Sequence, residues 1–143
     1  MALVPLPGGP DLLLDATEPL LPPGMLPARC LTGVGHTIVP ATEGEGRWVD
    51  LLPSQRYTHY QDVKLTLDAE GNLTGQVRDE RGGYAAVEAR ERLQELGNKK
   101  YVGELLSAHP TWEMPSYHFS GQGEVGPPLV LHYALRQPAA NPG

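Results

Sequence analysis

The chain has one cysteine, Cys30, one phenylalanine, no run of basic residues and no long apolar segment. A lone cysteine cannot form an internal disulfide, and it cannot build a zinc site with neighbouring thiolates. It leaves the redox compartment open. Binding nucleic acid by counterion release needs several clustered lysines or arginines. Lys99-Lys100 is too short for that, and the net charge is −6. No nucleic-acid partner is expected. The apolar runs fall far short of the roughly 20 residues that span a bilayer. Met1-Ala2-Leu3-Val4-Pro5 lacks the basic and apolar regions of a signal peptide. A chain of 143 residues can bury a core of its own. Neither a metal nor a cofactor is called for.

Proline and glycine are abundant instead. Pro5, Pro7, Pro10, Pro19, Pro22, Pro23, Pro27, Pro40 and Pro53 crowd the first part of the chain. Each removes a backbone donor and fixes φ, which rules out a long helix there. Short strands are expected at 2–6, 11–15, 37–39 and 47–52. Pro7-Gly8-Gly9-Pro10 should turn the first two into a hairpin. From Tyr60 the pattern changes. Val63, Leu65 and Leu67 alternate with Lys64, Thr66 and Asp68, the period of a half-buried strand. Ala69-Glu70-Gly71-Asn72 makes a turn, and the alternation resumes at Leu73, giving an antiparallel hairpin.

Gly82-Gly83 precedes a helix near 84–96, with Ala86, Ala89, Leu93 and Leu96 at three- and four-residue steps. Glu88 and Arg92 are spaced to pair across one turn. Gly97 is placed to end this helix, and Asn98 to cap a second one near 98–108. Tyr117 and Phe119, then Leu129, Leu131, Tyr133 and Leu135, mark returning strands. Residues 137–143 read as a disordered tail. The expected fold is α+β: mainly antiparallel sheet, sandwich-like, with one helical hairpin packed on a face. A proline-rich part at 1–58 precedes a β-rich domain at 59–136.

Few residues suggest chemistry. His36, His59, His109, His118 and His132 form no HxH or HxxxH pair, so no metal site is expected. Asp68-Ala69-Glu70-Gly71-Asn72 lacks the spaced ligands of a calcium loop and is explained by a hairpin turn. Gly33-Val34-Gly35 and Gly121-Gln122-Gly123 lack the strand-turn-helix context of a phosphate loop. Trp48, Trp112, Tyr57 and Tyr60 could stack on a sugar or a peptide, or simply pack a sheet face.

Leu12-Leu13-Leu14-Asp15-Ala16-Thr17-Glu18-Pro19, then Gly24-Met25-Leu26-Pro27-Ala28-Arg29-Cys30-Leu31-Thr32-Gly33, resembles the end of the transglutaminase-like core in large exported bacterial proteins. Arg47-Trp48-Val49-Asp50-Leu51 is similar to the strand that follows there. The segment from Leu67 through Gly83-Tyr84-Ala85-Ala86 more loosely resembles the β-rich domain of unknown function at the C-terminus of that family. The resemblance implies that Asp15 is the acid of a Cys-His-Asp triad, orienting a histidine. The cysteine and histidine of that triad would lie upstream of this chain. The competing reading of Asp15 is a turn carboxylate that accepts the Thr17 or Glu18 amide. Cys30 follows the aspartate, where the family's nucleophile precedes it, and is expected to be a small buried hydrophobe.

The resemblance further implies an exported parent in a Gram-negative bacterium, periplasmic or extracellular. Its transglutaminase-like core would be this module's partner, with a protein or glycan as a further one. Three functions follow as expectations. The first is a non-catalytic accessory or interaction module. The second is a fragment of a cysteine peptidase or acyltransferase contributing Asp15. The third is an independent adhesion or carbohydrate-binding module.

Overall fold

The computed structural model describes residues 1–140, and the chain divides into two compact units, Met1–Arg56 and Tyr57–Gly143. The division falls where the proline-rich texture ends, at the start of a long strand.

In the N-terminal unit, β1 (Ala2–Val4) pairs antiparallel with β2 (Leu12–Leu14), and β3 (Gly33–His36) with β4 (Trp48–Leu51). The first hairpin turns through Pro7–Pro10, where the Gly9 amide donates to the Leu6 carbonyl and Gly8 takes a left-handed φ of 74°. Between the hairpins, Leu21, Met25, Leu26 and Pro27 are buried, as is Leu51 of β4. Gly24 permits this by turning the chain at φ 82°, which L side chains rarely adopt.

The strand expected at 37–39 lies at Gly33–His36 instead. Thr37 closes the hairpin with its amide and hydroxyl both bonded to Arg47, and Pro40 starts a turn that removes Ile38 and Val39 from the ladder. Gly35 gives the observed pairing room. A Cβ there would lie 2.8 Å from Leu51 Cδ1, so a larger residue would make that side chain shift.

The C-terminal unit is built on one antiparallel sheet in the order β5 (Tyr57–Leu67), β6 (Leu73–Gly83), β8 (Leu129–Gln137), β7 (Tyr117–Ser120). Asp68 ties the β5–β6 turn by accepting from the Glu70 and Asn72 amides. The α+β class expected from the periodicities is the one formed, and the layer over the sheet is helical.

Helix α1 (Tyr84–Leu96) leaves β6 without a linker and packs on it. Ala86, Ala89 and Leu93 meet Leu129 beneath Tyr101 and Phe119. Val77, Leu131, Tyr133 and Leu135 form the adjoining part of the core with Leu105, Trp112, Met114 and Phe119. Gly97 ends α1, its amide bonded to Leu93, and its own backbone caps α2 (Asn98–Ser107). Asn98 is therefore not the cap, and its side chain bonds Gln122 instead. Arg92 does not reach Glu88. It bridges Glu95 and Glu104 and so ties α1 to α2. Arg90, only 2% exposed, donates to the Gly121 and Pro127 carbonyls and holds the loop between β7 and β8.

Gln137 closes β8 and the Ala139 amide donates to the Asn72 side chain. Residues 141–143 of the expected tail lie outside the described residues.

Val63, Leu65 and Leu67 do not reach the half-burial their alternation suggests. They are 48%, 40% and 64% exposed. Alternation assigns a side chain to a face, but β5 is the sheet's edge, and most of its length lacks cover.

Candidate interaction surface

An apolar concavity lies between the two hairpins of Met1–Arg56. Leu3 and Leu13 of the first hairpin and Val49 and Leu51 of the second face a groove of about 620 Å³. Ile38 and Val39 extend its wall, with His36, Glu45 and Arg47 adding polar atoms. Local sequence explains the shape. Three- and four-residue strands interrupted by prolines cannot form a wider sheet, so two small hairpins sit side by side with their apolar sides incompletely covered. Arg47 forms an ion pair with Asp11, fastening one hairpin to the other. Ile38 is 99% exposed, although burying an isoleucine is worth about 1.5–3 kcal/mol. Val34 and Leu52 of this unit are also exposed.

No family model, no curated protein and no solved structure matches this chain. The chemistry of its own surfaces therefore carries the functional reading.

Asp15 stands just beyond the end of β2, and its carboxylate is engaged locally. Thr17 donates to Oδ1 from its amide at 2.9 Å and from its hydroxyl, and Arg29 lies 3.9 Å away. The Thr17 hydrogen bonds hold this carboxyl below its ordinary range. Arg29 also bonds Glu18 and the Thr17 hydroxyl, so Asp15, Thr17, Glu18 and Arg29 form one network. It fastens the end of β2 to the single turn at Ala28–Cys30. Cys30 is half-buried there as a free thiol.

The four aromatic candidates are divided between the two units, Trp48 in the first and Tyr57, Tyr60 and Trp112 in the second. Trp48 is 70% exposed and meets His36 edge-on at 5.0 Å. Trp112 stacks on His109 at 3.8 Å and packs on the core of the other unit. Tyr57 and Tyr60, both exposed, alternate to opposite faces of β5.

Sequence reasoning missed one buried polar grouping. Asp79, 4% exposed, accepts from His59 Nε2 at 2.6 Å, Gln61 at 2.8 Å and Arg81 at 3.2 Å. Burial alone would raise its carboxyl, but the bonds from His59 and Gln61 and the Arg81 charge outweigh it and the net shift is downward. None of these partners is a nucleophile, so the cluster reads as a polar support for the sheet. The available signal was parity: Asp79 is two residues beyond Val77 and must point to the same, helix-covered face.

On the opposite face, His118 and His132 sit directly across β7 and β8 with rings stacked 4.6 Å apart. Desolvation, then His118 and Arg78, push His132 below its usual value. Among the described residues, no three His, Cys, Asp or Glu side chains are arranged to hold a metal. No described helix is long and apolar enough to cross a membrane.

Proposed function

We propose that this chain is a non-catalytic interaction module whose N-terminal unit receives an apolar, extended segment of a protein partner. The observation that carries this reading is the groove between the two hairpins, with Ile38 fully exposed on its wall. Soluble monomers rarely leave a contiguous apolar patch uncovered without a use for it. The sequence resemblance suggests the partner, a transglutaminase-like core in an exported, periplasmic or extracellular protein. The engagement of Asp15 by Thr17 and Arg29 supports a structural role for it over a catalytic one.

Ile38→Asp weakens partner binding by roughly tenfold or more, the effect of losing a buried isoleucine side chain. The fold survives, because that side chain contributes almost no burial to it. The measurement is titration calorimetry of a transglutaminase-like core against the chain and its Ile38→Asp variant. Photocrosslinking from position 38 would then map the seated segment. Equal affinity for both proteins, or no binding by either, removes this proposal. Glycan binding lost on Trp48→Ala with Ile38→Asp unaffected replaces it with the carbohydrate-binding reading.

A further inference from the structure

Strand β5 is eleven residues long, contains no proline and forms one edge of the four-stranded sheet. Tyr60 through Leu67 are exposed in succession, including Val63, Leu65 and Leu67. Natural edges of this length are ordinarily blunted by proline, bulges or a covering segment, because unpaired amides and carbonyls recruit another strand. The β5–β6 register runs from Tyr57↔Gly83 to Leu67↔Leu73 without a bulge.

The direction of the free backbone groups follows from the turn. The Asp68 amide donates to the Asn72 carbonyl, which continues the same register. Hydrogen-bonded and non-hydrogen-bonded pairs alternate along an antiparallel ladder. Even-numbered residues of β5 therefore bond to β6, and the amides and carbonyls of Tyr57, His59, Gln61, Val63, Leu65 and Leu67 point outward.

We infer that β5 pairs antiparallel with β5 of a second copy of this chain, about a two-fold axis at Val63. The sequence selects both occupant and register. Asp62-Val63-Lys64 is an acid, an apolar centre and a base, and its inverted copy sets Lys64 against Asp62 on both sides. Outward-pointing residues must oppose one another, so the neighbouring allowed registers are two-fold about Asp62 or about Lys64. The first opposes two aspartates and the second two lysines, and like charges directly opposite destabilise a strand pair. In the selected register Val63 exchanges both backbone bonds with Val63 of the second copy. Leu65 of each chain lies diagonal to that valine, bringing exposed apolar side chains together. The pairing is isologous and closes on itself. It yields one eight-stranded sheet with β5 in the middle. This inference concerns the C-terminal unit and stands apart from the groove.

Sedimentation equilibrium on the full chain tests it. The expected result is a reversible dimer with no larger species. Lys64→Glu weakens it about tenfold, since two attractive cross-strand pairs become repulsive. Lys64 opposes Gln76 within the monomer, so that substitution breaks no internal ion pair. Val63→Pro abolishes the dimer by removing an outward amide that the monomer does not use, with folding checked by circular dichroism. Exchanging the two charges, Asp62→Lys with Lys64→Asp, restores the wild-type affinity in an Arg78→Gln background, which keeps the new lysine from opposing Arg78 within the monomer. A chain that stays monomeric, open-ended oligomers, a dimer indifferent to Lys64→Glu, or a charge exchange that fails to restore it would each overturn the inference. Ile38→Asp should leave the dimer unchanged.

Discussion

Gly75→Ala lowers the stability of the C-terminal unit by about 3 kcal/mol, while Gly103→Ala, the same chemical change, raises it by up to about 1 kcal/mol. Gly75 opposes Leu65 in the β5–β6 ladder, and the two backbones approach closely there. A Cβ on Gly75 would fall inside contact distance of the Lys64 carbonyl oxygen and 2.9 Å from Leu65 Cα. Those are backbone atoms, so relief requires moving β5 away from β6 and stretching the ladder on either side.

Gly103 lies within α2, and nothing stands within 4 Å of where its Cβ would be. Alanine there gains helix propensity and reduces the freedom of the unfolded chain. Urea unfolding followed by Trp112 fluorescence, in a Trp48→Phe background, reads both effects as shifts in midpoint. Equal midpoints for the two variants would show that the close approach at Gly75 is not held in solution.

Asp79→Ala should cost roughly 2–3 kcal/mol, because it leaves Arg81, Gln61 and His59 around a site that no longer accepts from them. The cost stays below the roughly 3–5 kcal/mol of a fully buried broken pair, as Arg81 and His59 retain contact with solvent. The wild-type group also sets an acid dependence. Its folded carboxyl titrates below the unfolded value of about 3.9. The stabilisation is therefore complete above that value and is lost as pH falls through the lower, folded one. Asp79→Asn, nearly the same shape without the titrating charge, should unfold with a shallower dependence on pH below about 4. Thermal midpoints of the two proteins between neutral and acid pH measure the difference. Parallel curves would mean that another carboxylate governs acid unfolding.

Much of the architecture was legible in local pattern. Leu129, Leu131, Tyr133 and Leu135 alternate strictly and are all buried. The glycine pair Gly82-Gly83 and the single Gly97 bracket α1 where the periodicity places it. These features depend on neighbours one to four residues apart, which sequence displays directly.

The misplaced strand shows the opposite case. Ile38 and Val39 have high strand propensity, yet Gly33–His36 pairs in their place, because Thr37 bonds Arg47 ten residues away and Leu51 needs room over Gly35. Propensity was overruled by contacts distant in sequence.

The candidate surfaces divide the same way. The charge order of Asp62-Val63-Lys64 and the parity of the β5 side chains are properties of the sequence alone, as are the helices, the strand alternation and the α+β class. Only the tertiary structure decided that β8 takes the place beside β6, leaving β5 at the edge with its apolar residues uncovered. It also decided that Asp79 meets His59 and Arg81, that His118 meets His132, and that two proline-bounded hairpins leave a groove between them. The physical reason is common to all of these. Period and charge follow from covalent order, whereas exposure and partnership depend on which segments reach the same space after the chain has folded.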